Sequence, residues 1–292
     1  MHPIMTKKTQ EEHAMEITCL LENNTTDPQL AAAHGLSFFI RTGTRSILFD
    51  MGPDQKFADN AKHLGVDLSK TDIAVLSHGH YDHGGGIPQF QTINDKAAII
   101  MTRGAIEGRY YARYKNNEPR YIGLDTDAID KSRCRFIGAD LALSEDLTII
   151  TDFLKKGFIP QGNSDLLRQQ EDGKLIEDEF SHELALLIVE DGTSVLFTGC
   201  AHSGMGNMID TVLTRTGRDH IDHVIGGFHL YNRITKVTEP NNRLDILINE
   251  LSSYEGTTYY TGHCTGPDAP AYMSRKMTRP INVFATGTRL EL

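Results

Sequence analysis

A chain of 292 residues with 39% hydrophobic and 23% charged residues has an ordinary globular composition, neither fibrous nor disordered. Its formal net charge of −10 argues against a general polyanion binder, because nucleic-acid affinity draws largely on Lys and Arg, so no nucleic-acid partner is expected. No stretch approaches the ~18 apolar residues of a membrane span and "MHPIMTKKTQEEHAMEI" lacks a signal-like apolar core, so the expectation is a cytoplasmic protein with no membrane association.

The first strand is read from Ile17 in "ITCLLENN", at an edge or the start of a sheet. "LSFFI" and "SILFD", joined by "RTGTR", predict a hairpin. "DQKFADNAKHLG" carries a helical stripe of Phe57, Ala61 and Leu64, with Asp54 as a start signal and Gly65 as a stop. "IAVLS" is a short buried strand, and "IPQF" opens a short helix after three glycines. "AAIIM" is a further strand. Residues 102–165 are less regular and are expected to form an insertion within one domain spanning 1–292, either a lid or pocket wall or an ordinary solvated surface segment with partly buried tyrosines. "LTIIT" is a strand in or after it. "ELALLIVEDGTSVLFTG" is a strong hairpin signal, a helix begins near Met208, and "NRLDILINELSSY" is another helix. "HVIGG", "TYYTG" and "INVFATG" complete the strands. The four cysteines, Cys19, Cys134, Cys200 and Cys264, form no CxxC pair and argue against a disulfide framework.

Between "IAVLS" and "IPQF" lies "SHGHYDHG". Its spacing, His78-x-His80-x-Asp82-His83, lets two imidazoles aim at one point and an Asp-His pair at a second point close by. Imidazole and carboxylate suit two divalent ions, Zn²⁺ first and Mn²⁺ or Fe as alternatives. One segment cannot close two such sites. Further ligands are sought at His182, His202 and His263, and at His229, all beside predicted strand ends. His2, His13, His34, His63, His220 and His223 read as tail, surface or packing residues.

"HGHYDH" resembles the HxHxDH signature of the metallo-β-lactamase superfamily, and "ILFDMGP" is similar to that family's second strand and its Asp-containing turn. The resemblance implies an α/β (α+β) αββα sandwich with the metals at one edge between the sheets. It gives His78 and His80 to the first metal, Asp82 and His83 to the second, and His263 to the family's final histidine. In the turn "FTGCAHSG", Cys200 stands where the family commonly has a bridging Asp. "GCAHSGMGN", "GGFHL", "GHCTG", "HGLSFFI" and "ENNT" resemble the dihydropterin ribofuranosylaminobenzene phosphate synthase-like subgroup. That comparison makes His202 the third ligand of the first metal, with His182 as the alternative. Cys200 is then either a thiolate ligand or a small residue in a tight turn. His229 falls in the substrate pocket, and Thr265 with Gly266 would offer donors to a substrate or merely support His263.

The implied chemistry is hydrolysis of a small ester, lactone or phosphodiester by a metal-held hydroxide, with Asp82 orienting it and accepting its proton. A pterin-type transferase displacing diphosphate is the alternative, and a di-iron redox or binding protein is a third reading. A phosphorylated substrate would call for Arg103, Arg109, Arg113 or Arg120 in the pocket.

Overall fold

The computed structural model describes residues 15–114 and 118–292. Two seven-stranded sheets face one another. The first runs, in spatial order, Arg289–Glu291, Glu16–Leu21, Ser37–Arg41, Ser46–Phe49, Ile73–Val75, Ala98–Thr102 and Cys134–Ile137. The second runs Asn282–Val283, Thr258–Thr261, His223–Ile225, Thr193–Thr198, Leu184–Glu190, Leu147–Thr151 and Leu141–Ser144. Alternation along each strand builds the layers, because successive side chains leave opposite faces. Phe38, Ile47, Phe49 and Val75 meet Leu184, Leu186, Phe197 and Ile225 between the sheets. Phe39, Leu48, Ala74 and Leu76 point the other way, onto helices Lys56–His63 and Ile87–Ile93. Ala185, Leu187 and Leu196 of the second sheet are covered by helices Met205–Thr216, Asn241–Ser252 and Asp268–Ser274. The result is the αββα order expected.

Both predicted hairpins form: Ser37–Arg41 pairs antiparallel with Ser46–Phe49, and Leu184–Glu190 with Thr193–Thr198. Glu16–Leu21 is not an edge strand, because the chain returns and pairs Arg289–Glu291 against it. The expected insertion at 102–165 divides. Cys134–Ile137 extends the first sheet, and Leu141–Ser144 with Leu147–Thr151 extends the second. Among the described residues of that stretch, Tyr110–Arg113 and Pro119–Tyr121 leave the sandwich and form a four-stranded sheet with Leu166–Gln169 and Leu175–Glu177. The short, weakly patterned strands of this stretch hid that division. "INVFATG" yields only the two-residue strand Asn282–Val283. His2 and His13 lie outside the described residues. No helix among the described residues is long and apolar enough to cross a membrane.

Candidate metal centre

The site sits where strands of both sheets end. Strand Ile73–Val75 runs into "SHGHYDHG", and the turn after Thr193–Thr198 brings "GCAHSG" against it. Gly199 makes that approach feasible: a Cβ there would stand 2.3 Å from Ser77 Oγ and 2.9 Å from His78 Nδ1. Four non-glycine residues around the site, Asp50, Ala201, His229 and His263, adopt positive φ angles of 57°, 53°, 50° and 53°. Such strain persists only where surrounding structure holds it, and here it turns each loop inward.

Two sets of donor atoms result. His78 Nε2 stands 3.0 Å from His80 Nδ1, and the His202 ring lies 5.1 Å from that of His78 and 5.2 Å from that of His80. His83 Nε2 is 3.2 Å from His263 Nε2, and Asp82 Oδ2 is 3.4 Å from the same His263 nitrogen and 3.9 Å from His83 Nε2. Cys200 Sγ is 3.2 Å from His83 Nε2, and its sulfur belongs to both neighbourhoods, with His78 and His202 on one side and His83 and His263 on the other.

The remaining ring nitrogens are tied from behind. His83 Nδ1 meets Asp50 Oδ2 at 2.6 Å, and Asp50 also accepts from the Ser77 backbone N–H and hydroxyl, each at 2.7 Å. His78 Nδ1 meets Ser77 Oγ at 2.9 Å, His202 Nδ1 meets Asn163 Oδ1 at 3.1 Å, and His263 Nδ1 meets Asn23 Oδ1 at 3.0 Å. In a neutral ring each of these contacts favours the tautomer with its proton at Nδ1 and a lone pair at Nε2, the arrangement of metal-ligating histidines. His202 Nε2 is buried with no partner among the described residues, a cost that a cation would remove. The donors present therefore fit divalent metal ions. Behind them, buried Glu183 accepts from the His202 and Ser203 backbone N–H groups at 2.7 and 2.8 Å, and buried Glu22 accepts from the His263 N–H at 2.6 Å.

Electrostatics separates the two sets. Burial, reinforced by neighbouring His182, drives His80 down to about 3, and burial with His83, His80 and His202 around it holds His78 well below its ordinary value. For His83 burial also works against the charge, but Asp50 and Asp82 outweigh it and lift it to about 9. Asp82 is held well below the carboxylate range: burial opposes this, and His83, with hydrogen bonds from His263 and His34, overcomes it.

Several expectations change. His182 is buried beside the centre, but Nδ1 accepts from the Gly79 N–H at 3.0 Å and Nε2 meets Asp178 Oδ2 at 2.9 Å, so both nitrogens are occupied. Thr265 is fully buried and absent from the cavity wall; its hydroxyl accepts from the Phe228 N–H at 2.8 Å and contacts Thr261 Oγ1 at 2.6 Å. Its hydroxyl is thus engaged within the turn and does not face the cavity. His34, read as a surface or packing residue, instead places Nε2 3.1 Å from Asp82 Oδ2 and its ring 4.8 Å from that of His263. Its loop position in sequence concealed that the loop crosses the site, where the Leu36 N–H donates to the Asp82 carbonyl.

A cavity of about 150 Å³ opens over the centre, with His34, His80, Asp82, His202, His229 and His263 on its floor and sides. Tyr114 and Ile122, with Asp165 and Leu166, wall it on the side of the four-stranded sheet. Arg103, Arg109, Arg113 and Arg120 take no part: they face Phe136, Tyr121, the Ser164 carbonyl and Tyr114 respectively. The arginine at the cavity is Arg233, in the turn of the ribbon Tyr231–Asn232 and Val237–Thr238.

A sequence profile of the metallo-beta-lactamase superfamily matches residues 32–221. The chain belongs to this superfamily. It is 29% identical over 275 residues to an uncharacterized protein of Methanocaldococcus jannaschii, covering 92% of this chain and 96% of that one. It is 28% identical over 249 residues to the 7,8-dihydropterin-6-methyl-4-(beta-D-ribofuranosyl)-aminobenzene-5'-phosphate synthase of the same organism, covering 80% of this chain and 81% of that one. Among solved structures, Tm1679, described as a metal-dependent hydrolase of the beta-lactamase superfamily, superposes with a TM-score of 0.79 at 24% identity, covering 95% of this chain and 99% of that one. Zn²⁺-bound PqqB from Methylobacterium extorquens gives 0.56 at 13% identity, covering 95% and 100%. These two likenesses concern the fold.

Proposed function

We propose that the protein is a metal-dependent hydrolase of small esters, lactones or phosphodiesters, with one divalent ion held by His78, His80 and His202 and another by Asp82, His83 and His263. The observation that carries this reading is the set of imidazole nitrogens turned to common points, with the other nitrogens of His83, His78, His202 and His263 tied by Asp50, Ser77, Asn163 and Asn23. Zn²⁺ suits the donors, with Mn²⁺ or Fe as alternatives. Divalent ions bound there would lower the pKa of water to about 7 and polarise the electrophile. Asp82, at the cavity surface, would orient such a water and accept its proton, with His34 Nε2 3.1 Å from its Oδ2. His229 lines the cavity as a substrate contact, and Arg233 attracts an anionic, for instance phosphorylated, part of a small molecule. Nucleic acid is not a partner in this reading. Metal content, with turnover of a chromogenic phosphodiester, an ester and a lactone, tests it. His78→Ala and Asp82→Ala proteins should lose metal and turnover together; full metal content in either would overturn the assignment.

A pterin-type transferase that displaces diphosphate is supported by the synthase relative and by Arg233 at the cavity. Diphosphate release from a pterin-type diphosphate, dependent on the aminobenzene co-substrate and without hydrolysis of the three chromogenic substrates, would favour it.

A further inference from the structure

Three side chains at the cavity have no metal-binding task in the two-metal reading: Cys200, His229 and Cys264. Each comes from a different sequence motif, "GCAHSG", "GGFHL" and "GHCTG", and the fold brings their donor atoms within 4.8 Å of one another. Both cysteines are buried, and neither is in a disulfide. His229 Nδ1 is buried without a partner among the described residues.

The backbone is arranged around the sulfurs. The His229 N–H donates to Cys264 Sγ at 3.3 Å, and the Cys264 thiol faces the Cys200 carbonyl at 3.8 Å. A Cβ on Gly227 would stand 2.4 Å from Cys264 Sγ, so the "GGFHL" turn closes on the sulfur only because that residue is glycine. His229 holds its inward position at a φ of 50°, a strained setting for a non-glycine residue.

We propose that Cys200, Cys264 and His229 form a third cation position beside the two-metal centre, suited to a thiophilic ion such as Zn²⁺. Two sulfurs and an imidazole are a soft donor set that discriminates against Mg²⁺ and Mn²⁺. Three protein ligands leave a fourth position, which here faces the cavity that all three residues line. Cys200 Sγ, 3.2 Å from His83 Nε2, is the shared wall between this position and the second metal.

The test is elemental analysis of zinc-loaded protein together with the near-ultraviolet thiolate-to-Co²⁺ charge-transfer band after cobalt replacement. Cys264→Ser and His229→Gln should each hold one equivalent fewer than the wild type, and the band should weaken in Cys264→Ser. His229→Gln retains both cysteines and keeps the test open should the serine variant fold poorly. Equal metal content and an unchanged band in both variants would overturn the proposal while leaving the two-metal reading intact. A Cys200–Cys264 disulfide in the native protein, seen as two missing free thiols, would also overturn it. Wild-type protein that takes up no metal would overturn both readings.

Discussion

Asp50 shows how much of this centre is decided by a residue that touches no cation in the two-metal reading. Its carboxylate receives the His83 ring, the Ser77 hydroxyl and the Ser77 N–H, so it sets the tautomer of one proposed ligand and, through Ser77, the orientation of His78. Removing such a partner commonly weakens metal affinity by about 10–100-fold. Asp50→Ala should do so in a competitive zinc titration while far-ultraviolet circular dichroism stays that of the wild type; unchanged affinity would contradict the role. The protonation states make a second prediction, for protein stripped of metal. His80, held at about 3, and His78 and His202, held well below their ordinary value, remain neutral in the fold while the unfolded chain protonates below about 6.5. The unfolded state then binds more protons, so stability falls as pH drops from 6.5 towards 3. His83 works in the opposite sense: its contribution is complete below 6.5 and disappears as pH rises through about 9. Thermal melts of the chelated protein should peak near neutrality and fall on both sides, and stability rising steadily from pH 5 to pH 9 would exclude this balance. Of these residues, the sequence reveals those with rare spacing. His78, His80, Asp82 and His83 are four ligand-type residues in six positions, whereas Asn23, Asn163 and Glu183 are ordinary residues whose task appears only once segments about 20 to 240 positions apart in sequence meet.

At the scale of elements, the site is a set of strand ends held by tight turns. The turn after Thr193–Thr198 has no room for a side chain at Gly199 and is pinned by Glu183, whose carboxylate accepts two consecutive N–H groups. Gly199→Ala must push Ser77 and His78 aside, and overpacking of this kind costs about 1–3 kcal/mol. Glu183→Gln replaces one charged acceptor by a donor facing an N–H, and losing a hydrogen bond to a charged group costs about 1.5–3 kcal/mol. Both variants should show a lower urea midpoint with an unchanged slope. If the midpoint of Glu183→Gln did not move, the carboxylate would not be what anchors the turn. The strands beneath were legible wherever local pattern and tertiary setting agreed: apolar runs bounded by turn residues gave both hairpins and the central strands. Legibility failed at the edges. Cys134–Ile137 and Arg289–Glu291 are short and partly exposed, and they are strands because a neighbour offers them hydrogen bonds.

For the whole molecule, the position of the centre between two sheets has an energetic consequence. The proposed ligands His78, His80, Asp82 and His83 follow a strand of the first sheet, and His202 and His263 follow strands of the second. A cation held by both groups therefore links the two layers at the edge where their loops crowd together. Three buried imidazoles lie within about 5 Å of one another there, as ring distances of 4.5, 5.1 and 5.2 Å show. His202 Nε2 at that edge is buried with no partner among the described residues, and a cation bound there would let the same nitrogen contribute to stability. A ligand that binds only the folded state adds about 4.1 kcal/mol at a free concentration 1,000 times its Kd, less whatever the unfolded histidines and cysteines retain. Zinc added to chelated wild-type protein should thus raise the thermal midpoint by several degrees or more, and the rise should grow with the logarithm of free zinc. His202→Ala and Asp82→Ala each remove a donor from one group and should reduce the shift, and the double variant should lose more than either. A zinc-induced shift as large in the double variant as in the wild type would mean that the ion that stabilises the fold binds elsewhere and that the two sheets are not joined through this centre.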